Sequence, residues 1–131
     1  MTQTLTRDYG ITYFYYPDIE KVAPFYEDIL GFELVLDQGL AKIYRIGGSA
    51  YFGNVDGNRG HLRHQEKSAV LLTLVTDDVS GWHAKLTKAG VAGLSPLLRG
   101  RFCKHFFFED PAGYAIEIQR FHDPDVAALF Q

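Results

Sequence analysis

Residues Phe106-Phe107-Phe108-Glu109-Asp110-Pro111-Ala112-Gly113-Tyr114-Ala115-Ile116-Glu117-Ile118-Gln119-Arg120-Phe121 decide how this chain reads. Two apolar runs flank Asp110-Pro111-Ala112-Gly113, a composition that favours a tight turn because proline presets φ and glycine admits a left-handed conformation. The second run alternates around a carboxylate, with Glu117 between Ile116 and Ile118. Alternation of this kind predicts a strand whose two faces meet different surroundings. The isoleucines point to one face of that strand and Glu117 to the other.

The same order of elements occurs twice. "ITYFYY" (11–16) is rich in β-formers and breaks at Pro17-Asp18. A helix is expected over 18–30, with Ile19, Val22, Ala23, Tyr26, Ile29 and Leu30 on one face, Asp18 as N-cap and Gly31 as its stop. Pro24 lies inside that pattern and predicts an offset or kink. Strands follow at "FELVL" (32–36), "LAKIYRI" (40–46) and "SAYFGNV" (49–55). The second half runs "VLLTLVT" (70–76), Asp77-Asp78, a helix ending at Gly90, then strands at 91–98, 101–108 and 114–121. Asp18 and Asp78 are 60 positions apart, and Gly31 and Gly90 are 59 apart. The expectation is α+β: two βαβββ modules, 9–56 and 69–122, joined by a polar linker at 57–68, with curved mixed sheets forming a cleft within a single domain of residues 1–131.

Composition bounds the function. At 131 residues, 47% hydrophobic and 22% charged, the chain has the make-up of a globular domain. A net charge of -3 without blocks of one sign gives no footprint for nucleic acid. No apolar run is long enough to span a bilayer and no signal peptide is read, so a cytoplasmic location is expected. Ten Phe, eight Tyr and one Trp supply core, and they can also line a pocket for a ring-bearing ligand. The one cysteine, Cys103, reads as packing.

Phe25-Tyr26 before Leu30-Gly31-Phe32, together with Phe108-Glu109-Asp110-Pro111-Ala112-Gly113-Tyr114 leading to Ile116-Glu117-Ile118, resembles the vicinal oxygen chelate superfamily. Glyoxalase I, extradiol dioxygenases, fosfomycin-modifying enzymes and bleomycin-resistance proteins belong to it. The resemblance implies paired half-barrels, homodimers, and metal ligands on the first and last strands of each module. Carried onto this sequence, those positions fall at Ile11, Phe52, Leu71 and Glu117. Only Glu117 carries a ligating group, whereas such centres use two or three protein ligands or more. No metal site and no cofactor is therefore expected; a divalent metal held through non-family residues stays open.

Three readings of Glu117 stand side by side: a core carboxylate paired with Arg45, Lys104 or Arg101, a ligand-contacting group, or a ligand to metal with unfamiliar partners. His105, on a face with Cys103 and Phe107, is placed near Glu117 across adjacent strands as a candidate acid–base partner. Tyr13, Tyr15, Phe52, Thr73, Phe107 and Gln119 are the candidate ligand-binding residues. His61 and His64 form an H-x-x-H spacing in the linker, among basic residues that disfavour a cation. Two functions follow. One is a protein that binds a small aromatic or amphipathic molecule without the family's usual metal. The other is a superfamily enzyme (lyase, isomerase or dioxygenase) acting through Glu117 and His105.

Overall fold

The computed structural model describes residues 5–130. The chain separates into two compact units, with the boundary between Gln65 and Glu66, inside the linker.

The first unit is a four-stranded mixed sheet with a helix against it. The strands are β1 (Gly10–Tyr16), β2 (Glu33–Asp37), β3 (Ala41–Gly47) and β4 (Ala50–Asp56), in the order β1-β4-β3-β2. β1 and β4 run parallel, and the other pairs are antiparallel. Asp18 caps α1 (Ile19–Pro24), its carboxylate accepting from the Glu20 N–H. Proline acts one turn later. Pro24 has no N–H to give to the helix, and the five residues after it, Phe25–Ile29, form a π-helical segment closed by Leu30 N–H to Phe25 O at 3.0 Å. The predicted kink is therefore a wider turn, and it carries Phe25 and Tyr26 inward. Tyr26 is fully buried and sits among the rings of Tyr16, Phe32, Tyr44 and Phe52. Its hydroxyl shares a 2.8 Å hydrogen bond with that of Tyr16, so the buried polar ends satisfy each other.

The second unit repeats the plan with β5 (Leu71–Val75), α2 (Val79–Ala89), β6 (Leu98–Arg99), β7 (Cys103–Glu109) and β8 (Ala115–Phe121), in the order β5-β8-β7-β6. Asp78 caps α2 through the Gly81 N–H, and Gly90 ends it with φ 68°. Phe106, Phe108, Ile116 and Ile118 are at most 1% exposed and form the core face with Val79 and Leu86 of α2. Each such side chain contributes about 1.5–3 kcal/mol over its exposed state. One expected strand is largely missing: of 91–98 only Leu98 pairs, together with Arg99. Pro96 lacks an amide hydrogen, and Ser95 instead donates its N–H to Phe107 O while its hydroxyl accepts from Phe107 N–H. A short helix that the sequence reading did not include, α3 (Pro124–Ala128), follows β8. Among the described residues, no helix is long and apolar enough to cross a membrane.

The turn quoted at the outset sets the register of β7 on β8. Asp110, 2% exposed, accepts with one carboxylate oxygen from the N–H groups of Ala112 and Tyr114, each at 2.9 Å. Gly113 has φ 89°, which a side chain would disfavour. The hairpin pairs Phe107 with Glu117 and Phe106 with Ile118, so each strand sends one face to α2 and the other away from it.

Candidate functional site

Paired residues on adjacent strands share a face, so register shows which candidates come together. In the second unit Thr73 pairs with Glu117, Glu117 with Phe107, and Gln119 with both Val75 and His105. Thr73, His105, Phe107, Glu117 and Gln119 thus occupy one face, opposite the isoleucines, and all are half-buried. The Thr73 hydroxyl donates to Glu117 Oε1 at 2.9 Å.

The cations considered as partners for Glu117 are engaged elsewhere. Arg45 lies 3.2 Å from Glu33, Lys104 donates to Ser80 at 2.8 Å, and Arg101 lies over the Phe102 ring. Among the described residues no lysine or arginine forms an ion pair with Glu117. The reading of a carboxylate paired in the core with Lys104 or Arg101, both in the same unit, is thereby corrected.

His105 does stand beside Glu117, and Cys103 joins them. Cys103 Sγ and His105 Nδ1 are 3.5 Å apart, and one ligating atom from each of Cys103, His105 and Glu117 lies within 4.8 Å of the others. The His105 ring meets Phe107 edge-on at 5.3 Å. Burial pushes the Cys103 thiol above its ordinary pKa, and the charge of Glu117 adds to this. A thiol held protonated at neutral pH is a poor nucleophile.

Next to this cluster the same face opens into a groove of about 610 Å³, lined by Thr73, Val75, Gln119, Phe121 and Phe130 among others. Phe130, just after α3, stacks on Phe121 with centroids 5.5 Å apart and planes 5° from parallel. The aromatic wall was missed at the sequence level, though two signals were present. Phe121 continues the alternation Glu117, Gln119, Phe121, and Asp123-Pro124 is an N-cap followed by a proline suited to a first helical turn.

The first unit does not mirror this face. Phe52 is fully buried against Phe14, Tyr26 and Phe32, on the helix side, so it is not on a ligand-facing surface. The residue in register with Tyr13, as Glu117 is with Thr73, is Gly53. A Cβ at Gly53 would lie 2.5 Å from the Tyr13 ring, so the missing side chain is what lets that ring lie across the sheet. Tyr15 is partly covered by the linker, where His64 Nδ1 contacts Tyr15 O at 3.0 Å and a Cβ at Gly60 would lie 2.8 Å from the Tyr15 ring. Of the four positions carried over from the family, Ile11 and Leu71 are apolar, and neither Phe52 nor Gly53, which takes its place by register, offers a donor, so this set does not fit the family's usual metal centre. Glu117 alone supplies an oxygen there.

Residues 10–118 match the profile of the Glyoxalase/Bleomycin resistance protein/Dioxygenase superfamily. Among solved structures, the chain is similar to a glyoxalase/bleomycin resistance protein from Streptomyces sp. CB03234, at 26% identity and TM-score 0.68, over 85% of this chain and 98% of that one. TnmS3, an antibiotic binding protein from the same Streptomyces, is 23% identical with TM-score 0.73, over 91% and 99% of the two chains. A lactoylglutathione lyase from Agrobacterium tumefaciens is 20% identical with TM-score 0.70, over 90% and 96%. No curated protein sequence matches the chain. The repeated βαβββ order, the two four-stranded mixed sheets and a match spanning most of the sequence place the chain in the glyoxalase/bleomycin resistance protein/dioxygenase superfamily.

Proposed function

We propose that this is a cytoplasmic, homodimeric protein that binds a small aromatic or amphipathic molecule without the family's usual metal centre. The observation carrying this reading is the face of the second unit, where Phe121 and Phe130 wall a groove of about 610 Å³ that Thr73 and Gln119 edge with hydrogen-bonding groups. An apolar lining with a few placed polar groups is what ligand pockets of this volume share. Glu117, beside the groove and hydrogen-bonded to Thr73, is the charged group that would orient a donor on the ligand. The similarity to an antibiotic binding protein agrees with this reading, although a lyase has the same fold and the fold does not choose between them.

The test is a thermal-shift screen of aromatic and amphipathic compounds on metal-stripped protein, with hits quantified by calorimetry. Binding is expected to persist in chelator. Glu117→Gln is expected to weaken it ten- to a hundredfold, corresponding to about 1.5–3 kcal/mol for a lost charge-assisted hydrogen bond. Absence of any hit on the stripped wild-type protein, or an unchanged dissociation constant in the variant, would count against it.

The second reading is a superfamily lyase, isomerase or dioxygenase with Glu117 and His105 as an acid–base pair. Their closeness favours it. Chemical conversion of a screened compound by wild type, lost in both Glu117→Gln and His105→Gln while binding persists, would establish it.

A further inference from the structure

We propose that Cys103, His105 and Glu117 form a binding site for a zinc-class divalent cation. The site differs from the one the resemblance implies. Two of its three ligands come from β7, a strand that supplies none of the family positions, and all three lie in the second unit.

The geometry is the first support. A tetrahedral zinc with sulfur at about 2.3 Å and imidazole nitrogen at about 2.0–2.1 Å holds those two atoms about 3.5 Å apart. Cys103 Sγ and His105 Nδ1 are already 3.5 Å apart. A carboxylate oxygen of Glu117 lies within 4.8 Å of both, so the three donor atoms surround one small volume. His105 Nδ1 also lies 3.2 Å from the Cys103 carbonyl oxygen, a contact that an Nδ1–H donates, so ligation through Nδ1 gives up that bond and moves the imidazole proton to Nε2.

The second support is charge and orientation. A thiol–imidazole contact accounts for two of the three groups but not for the carboxylate beside them, which no lysine or arginine among the described residues neutralises. Metal binding releases the Cys103 thiol proton to solvent, and the resulting thiolate, with a carboxylate and a neutral imidazole, balances a 2+ ion. The Thr73 hydroxyl bonds Glu117 Oε1, which leaves Oε2 for the cation and orients the carboxylate from outside the coordination sphere. The mixture of sulfur, nitrogen and oxygen favours zinc or cobalt over magnesium or calcium, which take oxygen ligands.

The experiment is a titration of tag-free, chelator-stripped protein with Co²⁺, followed by visible and near-ultraviolet absorption. Expected are one Co²⁺ per chain, a thiolate-to-cobalt charge-transfer band and displacement by Zn²⁺ but not by Mg²⁺. Cys103→Ser should abolish the band, and His105→Ala and Glu117→Gln should each weaken binding more than Thr73→Val, which should cost about tenfold. The double substitution His61→Ala with His64→Ala should change nothing. A wild type without the band, a band that survives in Cys103→Ser, or one lost in the linker double variant overturns the proposal. Should Cys103→Ser not fold, alkylation of Cys103 in the wild type decides: equimolar Zn²⁺ should slow it, and an undiminished rate overturns the site. Failure here leaves the ligand reading intact, because that one is measured on stripped protein.

Discussion

Glu117 and Asn54 are both polar residues on central strands, yet their surroundings differ. Glu117 is half-buried and accepts from Thr73. Asn54 is fully buried on the helix side of β4, and among the described residues neither its Nδ2 nor its Oδ1 has a hydrogen-bond partner. An enclosed, unpaired amide costs about 1–3 kcal/mol, and replacing it with an apolar group of similar shape recovers much of that. Asn54→Leu is therefore expected to raise the denaturant midpoint, by up to that amount in unfolding free energy. A lower midpoint would show that the amide is satisfied in solution. Both residues' faces follow from strand alternation, but Phe52 shows how fragile that reading is. Aligning the turn before β4 with the turn before β8 slips by one residue, because Tyr51, opposite Ile11, comes three residues after Gly48, whereas Ala115, opposite Leu71, comes two after Gly113. A one-residue slip reverses every side chain, and so Phe52 was read onto the wrong face.

At the level of elements, the edge of the first sheet depends on a cross-strand ion pair. Asp37 of β2 faces Lys42 of β3, and the ammonium, 7% exposed as a residue, lies 2.8 Å from Asp37 and 3.5 Å from Glu20 of α1. The hydrogen bond from Lys42, then that from the Gly39 N–H, holds the Asp37 carboxyl below its ordinary range. The bond to Asp37 in turn raises Lys42. A carboxyl whose folded pKa is depressed stabilises the fold above its unfolded pKa, about 3.9. That contribution is lost as pH falls through the folded value. Asp37→Asn should therefore melt below wild type at pH 7, and the gap should be smaller at pH 3. An equal gap at both pH values would contradict the linkage. Helices and long strands were legible from periodicity and caps. The strand expected over 91–98 was not, because it reads as apolar while Pro96 denies the ladder an amide and Ser95 bonds β7 from outside the sheet.

For the molecule as a whole, the two units have the same strand order but different second faces. In the first, Tyr13 lies over Gly53 and the linker packs on Tyr15. In the second, Leu71 is 47% exposed beside the groove, and Val75, in the groove wall, is 61% exposed. Exposed apolar side chains of this kind are commonly covered by self-association in symmetric oligomers. We expect light scattering at micromolar concentration to report twice the chain mass, and Leu71→Lys to shift the protein toward monomer. A monomeric wild type would contradict the dimer.

The sequence by itself determined the repeated βαβββ order, the strand–turn–strand at 103–121 and the face on which Glu117 sits. These rest on local chemistry: alternation, capping aspartates, proline, and a glycine that accepts φ 89°. Tertiary structure alone decided how closely Cys103, His105 and Glu117 approach, that Phe130 stacks on Phe121, and that Phe52 belongs to the core. Each of these depends on the register of one strand against another or on where a terminal helix docks. Such long-range pairings are set by the packing of the whole unit and leave no periodic trace in the chain.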